Sequence, residues 1–241
     1  MKKAINLMVF LAITYPLGVV LGIIFHIIRI LKIIPVWHWE RFPHWQRKII
    51  LVSNHPSLLE PLLLPLLFFR EYFFHPFKFA PWSAPDKKNF YDPWYWFWTR
   101  PRMVPIDRND EREELKSLFW MKRILNSGGI IILFPEGGRT YKGDDFLYSR
   151  KGKRIRILMG GLGWLVLKTK ATVLPVWVEG TDKVLPPNPN PDKLFSLPNL
   201  REKMTIKIGK PLEFEGSSAV GREVVTQMIA NALLKLADEE E

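Results

Sequence analysis

The sequence predicts an α/β fold: a mixed, largely parallel sheet flanked by helices, preceded by an N-terminal membrane-associated helical segment. After residue 48, short apolar runs typical of buried strands alternate with amphipathic runs typical of helices. Such alternation favours a layered α/β domain. Before that point, residues 4–28 contain no Lys, Arg, Asp or Glu. A run of that length and purity is typical of a helix in contact with lipid.

Composition narrows the class of partner. The chain has 241 residues, enough for one sizeable domain, and a formal charge of +11 that indicates an anionic partner, either a membrane surface or a nucleic acid. Its 10 Trp and 16 Phe cluster beside apolar runs, as at the headgroup level of a bilayer, and no nucleic-acid-binding motif is present. We therefore expect membrane lipids, and no nucleic acid, as partners.

Metal and disulfide chemistry is not predicted. The chain has no Cys, which excludes disulfides and Cys-based metal sites. Its five His are scattered without the spacing of a zinc site. We expect no metal and no tightly bound cofactor.

Residues 1–40 are predicted to form a membrane anchor. A cleaved signal peptide is disfavoured, because the apolar run is too long and lacks a small-residue cleavage site. A single span remains open beside a monotopic hairpin or tilted helix pair in one leaflet, broken near Pro16 and Gly18, and we slightly prefer the monotopic arrangement. Basic residues are more numerous after the run than before it. This places the main domain at the cytoplasmic face of the cell (inner) membrane.

Residues 41–241 are predicted to form one α/β domain. Proline-rich residues 186–198 are predicted as a surface loop. The predicted strands are 49–53, 77–80, 103–106, 130–134, 173–178 and 205–208, and the predicted helices are 57–69, 112–125, 162–168 and 221–236.

The first of three polar segments that follow apolar strands is Ser-Asn-His-Pro-Ser-Leu-Leu-Glu, residues 53–60. A neutral imidazole can accept a hydroxyl proton, and a carboxylate can hold its tautomer, so His55 and Glu60 are candidates for general base catalysis. Residues five apart do not share a helix face, so they meet only if His55 precedes the helix and Glu60 lies in its first turns, a break that Pro56 supports. The alternative is a capping box, in which Glu60 accepts a hydrogen bond from a backbone N–H near Ser57.

The other two segments carry arginines. Phe-Pro-Glu-Gly-Gly-Arg-Thr, residues 134–140, combines a glycine turn with Arg139, which suits an anion such as phosphate. It is not a Walker A loop, because the Lys-Ser/Thr pair is missing. Val-Pro-Ile-Asp-Arg, residues 104–108, is a strand that ends in Arg108. The alternatives are an ordinary turn with a solvated Arg139, and a surface ion pair at Arg108.

Taken together, these segments resemble the glycerolipid acyltransferase family. That family has an Asn-His-x4-Asp block, a strand ending in Arg, a Phe-Pro-Glu-Gly-Thr-Arg-Ser block and an apolar Val-Pro block. The order and spacing agree here over residues 48–180, with residues 173–176, Val-Leu-Pro-Val, as the fourth block. Two positions depart from the pattern: Glu60 stands where the family has Asp, and Gly138 stands where it has Thr.

The resemblance implies that residues 41–241 are an acyltransferase domain and that the protein is an enzyme like 1-acylglycerol-3-phosphate O-acyltransferase. It would move an acyl chain from acyl-CoA or acyl-carrier protein to the free hydroxyl of a lysophospholipid, with lysophosphatidic acid as the preferred acceptor and phosphatidic acid as the product. The alternatives are another lipid acceptor, such as an ornithine-type lipid or a glycolipid, or a non-catalytic lipid-binding protein on the same fold.

The resemblance also assigns roles to residues. His55 would be the general base and Glu60 would orient it. Arg108 and Arg139 would bind the phosphate of the lysolipid. Glu136 and Gly137 would shape the acceptor pocket, with Glu136 bonding glycerol oxygens. Gly138 would lie near the phosphate, where it lacks the hydroxyl donor of the usual Thr.

Overall fold

The computed structural model describes residues 2–187, 196–214 and 221–240. In chain order the strands are β1 (Val36–Trp37), β2 (Ile49–Ser53), β3 (Trp82–Ser83), β4 (Ile130–Leu133), β5 (Phe146–Tyr148), β6 (Arg154–Arg156), β7 (Thr172–Glu179) and β8 (Thr205–Ile208). Six of them form one sheet in the order β1-β8-β7-β2-β4-β3, and β5 and β6 form a separate antiparallel hairpin.

Helices precede the sheet and cover it. In chain order the α-helices are α1 (Lys2–Val9), α2 (Tyr15–Ile30), α3 (Glu60–Leu63), α4 (Phe69–Phe74), α5 (Pro76–Phe79), α6 (Glu111–Asn126), α7 (Gly161–Thr169), α8 (Thr181–Val184) and α9 (Arg222–Asp238). Two π-helical segments, Phe10–Thr14 and Lys87–Tyr91, and several short 3₁₀ segments, among them Leu64–Phe68 and Thr140–Lys142, connect them.

The predicted fold class is confirmed. Strands β3, β4, β2 and β7 are mutually parallel, whereas β8 runs antiparallel to β7 and carries β1 parallel to itself. Side chains of β2 alternate between two cores. Ile50 and Val52 lie in the core that contains α6, α7 and α9, and Ile49 and Leu51 lie in the core that contains α2 and residues 64–68. Because both faces are covered, the central strands are apolar at every position.

Most predicted elements are present with small shifts at their ends. The helix predicted at 57–69 is shorter and irregular: an α-helical turn at Glu60–Leu63 continues as the 3₁₀ segment Leu64–Phe68. The prediction of a strand at 77–80 is wrong. The fixed φ of Pro76 begins a helical turn, α5, and the strand forms two residues later as β3. Residues 103–106 form only isolated bridges to the chain around β3, because Pro105 has no N–H for a regular ladder. In the predicted loop 186–198, residues 188–195 lie outside the described residues.

The N-terminal helical backbone runs unbroken from Lys2 to Ile30, so the hairpin broken near Pro16 is wrong. Thr14 and Tyr15 both have α-helical φ and ψ, and the wider π-helical turn directly before Pro16 relieves the clash of its ring with the preceding carbonyl. The helix Ala4–Ile30 has 27 residues and is long and apolar enough to cross a membrane by length and composition.

This helix lies against the domain along most of its length. A Cβ added at Gly18 would stand 2.7 Å from the Tyr72 hydroxyl oxygen, and one added at Gly22 would stand 2.1 Å from the Phe69 ring. Phe25 is buried in the core beneath the sheet. The sheet itself begins with β1 at Val36, upstream of the predicted domain boundary at residue 40. The N-terminal segment is therefore packed into the domain.

Substitution of Gly22 tests this packing. We expect Gly22→Leu to destabilise the protein by about 1–3 kcal/mol, because the new side chain must displace the Phe69 ring. Thermal unfolding in detergent micelles, followed by circular dichroism, measures the change. The matched control is Ile23→Leu at the next, exposed position. Equal melting temperatures for the two variants would show that the helix does not dock through Gly22.

Candidate active site

The site lies at the carboxyl edge of the parallel strands. His55 follows β2, Glu136 follows β4 and Thr181 follows β7. Parallel strands end at the same edge of a sheet, so the loops that follow them meet there.

His55 and Glu60 make the predicted contact. The His55 Nδ1 atom lies 2.9 Å from Glu60 Oε2, and the Glu60 side chain is fully buried. The Ser57 N–H donates to both carboxylate oxygens at 3.1 Å, and the Thr181 hydroxyl donates to Oε1. Helix α3 begins at Glu60, so His55 precedes the helix as predicted. The backbone contact expected of a capping box and the contact with the imidazole therefore occur together.

Two neighbours fix the imidazole. The Asn54 side chain continues the pairing of β2 with β7, donating to the Val178 carbonyl and accepting from the Val178 N–H, each at 2.8 Å. The Phe134 ring stacks on the His55 ring with centroids 4.4 Å apart. With the Nδ1 proton donated to Glu60, Nε2 carries the lone pair that can accept a proton from a bound hydroxyl.

Glu136 corrects a sequence prediction. Its carboxylate is buried and accepts from the His55 N–H at 2.8 Å, the Thr140 hydroxyl at 2.8 Å and the Arg156 N–H at 2.9 Å. Burial raises the pKa of Glu136, and the three hydrogen bonds oppose that rise. Because both oxygens are engaged inside the protein, Glu136 positions backbone and does not line the acceptor pocket.

A cavity of about 450 Å³ joins the other predicted residues. His55, Arg108, Gly138 and Arg139 all line it, so the imidazole and the two arginines face a common cavity. Gly137 is not part of the wall. It has a φ of +69°, and an added Cβ would stand 2.9 Å from the Met159 sulfur, so this glycine serves the turn.

Lys142 also lines the cavity, and the sequence analysis did not identify it. It lies three positions after Arg139, in the short 3₁₀ segment that follows it, and that proximity was the available signal. Within the described ranges, Arg108, Arg139 and Lys142 have no ion pair with a carboxylate. Thr181 was also missed, since nothing in the sequence links it to Glu60, 121 positions away.

The rest of the cavity is mainly apolar. Leu17, Leu21 and Leu62 belong both to its wall and to the exposed apolar surface, so the cavity opens among lipophilic side chains. Other apolar or aromatic wall residues include Phe10, Leu58, Pro61, Pro65, Leu66, Phe69, Tyr72, Phe90, Trp96, Trp98 and Met103. The wall also contains polar and charged side chains: Thr14, Ser83, Asp86, Asn89, Thr99 and Arg102. Among the residues that the structure describes, no cluster of three or more His, Asp or Glu side chains suits a metal ion.

Comparison with known proteins gives relatives of one kind. The chain is 31% identical over 172 residues to a 1-acyl-sn-glycerol-3-phosphate acyltransferase of Chlamydomonas reinhardtii, covering 64% of this chain and 47% of that protein. It is 26% identical over 147 residues to the chloroplastic 1-acyl-sn-glycerol-3-phosphate acyltransferase LPAT1 of Arabidopsis thaliana, covering 61% of this chain and 36% of that protein. The chain thus spans about half, or less, of the length of these curated relatives.

A solved structure shares the fold. The crystal structure of the 1-acyl-sn-glycerophosphate (LPA) acyltransferase from Thermotoga maritima matches with a TM-score of 0.57 and 21% identity, covering 86% of this chain and 73% of that one. The family model described as Acyltransferase matches residues 33–179, which include His55, Glu60, Arg108, Glu136 and Arg139. Thr181 and the cavity-wall residues of the N-terminal helix lie outside this range. The chain therefore belongs to the acyltransferase family.

Proposed function

We propose that the protein transfers an acyl chain from a thioester to the free hydroxyl of lysophosphatidic acid, producing phosphatidic acid. The observation that carries this proposal is the position of His55, paired with Glu60, in the wall of a cavity that combines apolar side chains with cations that have no carboxylate partner among the described residues. The names of both sequence relatives, which specify a 1-acyl-glycerol-3-phosphate acceptor, support it.

The chemistry requires one general base. Nε2 of His55 removes the proton of the acceptor hydroxyl as its oxygen attacks the thioester carbonyl carbon. The tetrahedral intermediate collapses, the C–S bond breaks, and the imidazolium returns the proton to the departing thiolate. Glu60 stabilises the imidazolium, while Ser57 N–H and Thr181 hold the carboxylate in place.

No acyl-enzyme is needed. Ser53 and Ser57 are the hydroxyls closest in sequence to His55, and both are buried. The Ser57 oxygen accepts the Leu59 N–H at 3.0 Å, and the Ser53 hydroxyl donates to Asn54 Oδ1 at 3.4 Å. The donor is a thioester of CoA or of acyl-carrier protein, which acts as a co-substrate and leaves as the free thiol.

The cations favour a phosphate-bearing acceptor. Arg108, Arg139 and Lys142 line the cavity without carboxylate partners within ion-pair distance in the described part of the chain. A phosphate group supplies the negative charge and the several acceptor oxygens that such a cluster binds. A glycolipid acceptor would leave these charges unpaired beside an apolar cavity, which is costly.

The apolar walls suit an acyl chain. Each methylene transferred from water into such surroundings contributes about 0.8 kcal/mol. A cavity that opens among exposed leucines lets a chain pass between the bilayer and the site without crossing water. This arrangement explains why cation-lined and apolar surfaces meet beside His55.

Membrane attachment belongs to the same proposal. The docked N-terminal helix exposes apolar side chains along its outer face, including Ile23 and Ile27, and Trp94 in the aromatic segment is 78% exposed. The N-terminal helix packs on its own domain from Phe10 to Arg29. This packing favours an arrangement in which the helix inserts into one leaflet while it stays beside the domain. We place the domain at the cytoplasmic face of the inner membrane, within reach of soluble acyl donors.

Loss of the base tests the reaction. We expect His55→Ala to lower kcat by about 10²-fold to 10⁴-fold, because no other group accepts the hydroxyl proton. Glu60→Gln keeps the size of the side chain and removes its charge, so it should also lower kcat. Acyl transfer is measured with purified protein, radiolabelled acyl-CoA or acyl-carrier protein, and a panel of lysolipids.

The chain offers a matched control for this experiment. His44 Nδ1 lies 2.7 Å from Oε1 of the buried Glu71, a second histidine–glutamate pair that does not line the cavity. We expect His44→Ala to keep its kcat. Undiminished turnover by His55→Ala would remove the pair from the mechanism, and no transfer to any lysolipid by the unmodified protein would favour a non-catalytic lipid-binding protein.

Charges placed on the exposed apolar surface test membrane attachment. We expect Ile23→Asp and Trp94→Asp each to weaken binding to vesicles of phosphatidylcholine and phosphatidylglycerol by about tenfold, because a carboxylate must leave the lipid or carry its water with it. Flotation with vesicles measures the bound fraction. Leu115→Asp is the control, since Leu115 is 54% exposed on α6, which covers the opposite face of the sheet. Equal binding by all three variants would contradict the proposed orientation.

A further inference from the structure

Arg156, the last residue of β6, lies across the glycine-containing loop beside the cavity. A Cβ added at Gly143 would stand 2.3 Å from Arg156 Nε and 2.6 Å from its Cδ. A Cβ added at Gly138 would stand 2.7 Å from Nη1 of the same guanidinium group. The side chain therefore crosses Gly143 and ends against Gly138, which is part of the cavity wall.

The two glycines provide space for this arginine. Gly143 has a φ of −100°, which any residue can adopt, and Gly138 has no left-handed φ either. Backbone conformation therefore does not require glycine at these positions. Among the described residues, and apart from the adjacent residues of the chain, Arg156 alone comes within 4 Å of an added Cβ at Gly138, and it supplies the nearest atoms at Gly143. A side chain at either position would displace the guanidinium.

The charge of Arg156 indicates which kind of ligand this arrangement suits. Within the described ranges, the Arg156 guanidinium forms no ion pair with a carboxylate, whereas Lys153, on the same hairpin, pairs with Glu179. The Arg156 N–H donates to Glu136 at 2.9 Å, and this bond fixes the end of β6 beside the loop that holds Arg139 and Lys142. A guanidinium group held in this way provides a forked donor next to a cluster of cations that also lacks acidic partners.

We infer that Arg156 is a further phosphate-binding residue of the acceptor site, with its guanidinium standing where a side chain at position 138 would otherwise stand. The inference rests on the proposed function. It also explains the departure at Gly138: the site lacks the hydroxyl of the usual Thr and has a charged donor in its place.

Steady-state kinetics with the full chain provide the first test. We expect Arg156→Ala to raise KM for lysophosphatidic acid about tenfold, because a charge-assisted hydrogen bond to phosphate is lost. KM for the acyl donor and kcat at saturating acceptor should change little. Arg154→Ala is the matched control. It removes the same charge from the same strand, but Arg154 is exposed and stacks over the Phe146 ring.

Gly143→Ala tests whether the position of the Arg156 side chain matters separately from its charge. This change removes no charge and suits the backbone, yet the new Cβ would push the Arg156 side chain away. We expect KM for lysophosphatidic acid to rise in the same direction as in Arg156→Ala. In the Arg156→Ala background the same change should have no further effect, because the two substitutions act on one contact.

Equilibrium binding separates this inference from the proposed function. Binding of lysophosphatidic acid and of monoacylglycerol, in detergent micelles without acyl donor, is compared for the unmodified protein and Arg156→Ala. Weaker binding of lysophosphatidic acid alone supports the inference even if no lysolipid is acylated, in which case the proposed function fails by itself. Equal affinities of the two proteins for lysophosphatidic acid, or equal losses for both lipids, would overturn the inference.

Discussion

The site depends on the buried carboxylate of Glu136, which connects the segments that form it. It accepts hydrogen bonds from the backbone of His55, the hydroxyl of Thr140 and the backbone of Arg156. These groups belong to three separate segments: the loop after β2, the loop after β4 and the β5–β6 hairpin. Burying a carboxylate is costly unless donors surround it, and here the donors are the segments that must be aligned. These hydrogen bonds fix the position of the imidazole relative to the loop that carries Arg139 and Lys142.

The local parts of this arrangement could be predicted from the sequence. The pairing of His55 with Glu60 depends on residues five apart, together with a proline that delays the start of the helix, and this information lies within one short segment. Arg139, which follows β4, was also recognisable, since parallel strands end at one edge of the sheet. The order of polar segments along the chain therefore predicted which side chains meet at the cavity.

The parts that failed depend on contacts between distant residues or on ambiguous short runs. Glu136 looked like a pocket residue, because the sequence does not show that distant N–H groups occupy its oxygens. The partnership of Thr181 with Glu60 joins residues 121 positions apart and leaves no local signal. The run at 77–80 is apolar enough for either a strand or a buried helical turn, and Pro76 decided for the turn. The helix break expected near Pro16 does not occur, because a single π-helical turn accommodates the proline ring.

The N-terminal helix has a consequence for anyone who wishes to handle this protein in water. Phe10, Gly18 and Leu21 form part of the cavity wall beside His55. Removing the helix to obtain a detergent-free version would open that cavity along one side. The residues that make the protein lipophilic also enclose its candidate site, so a deletion that improves solubility would alter the site as well.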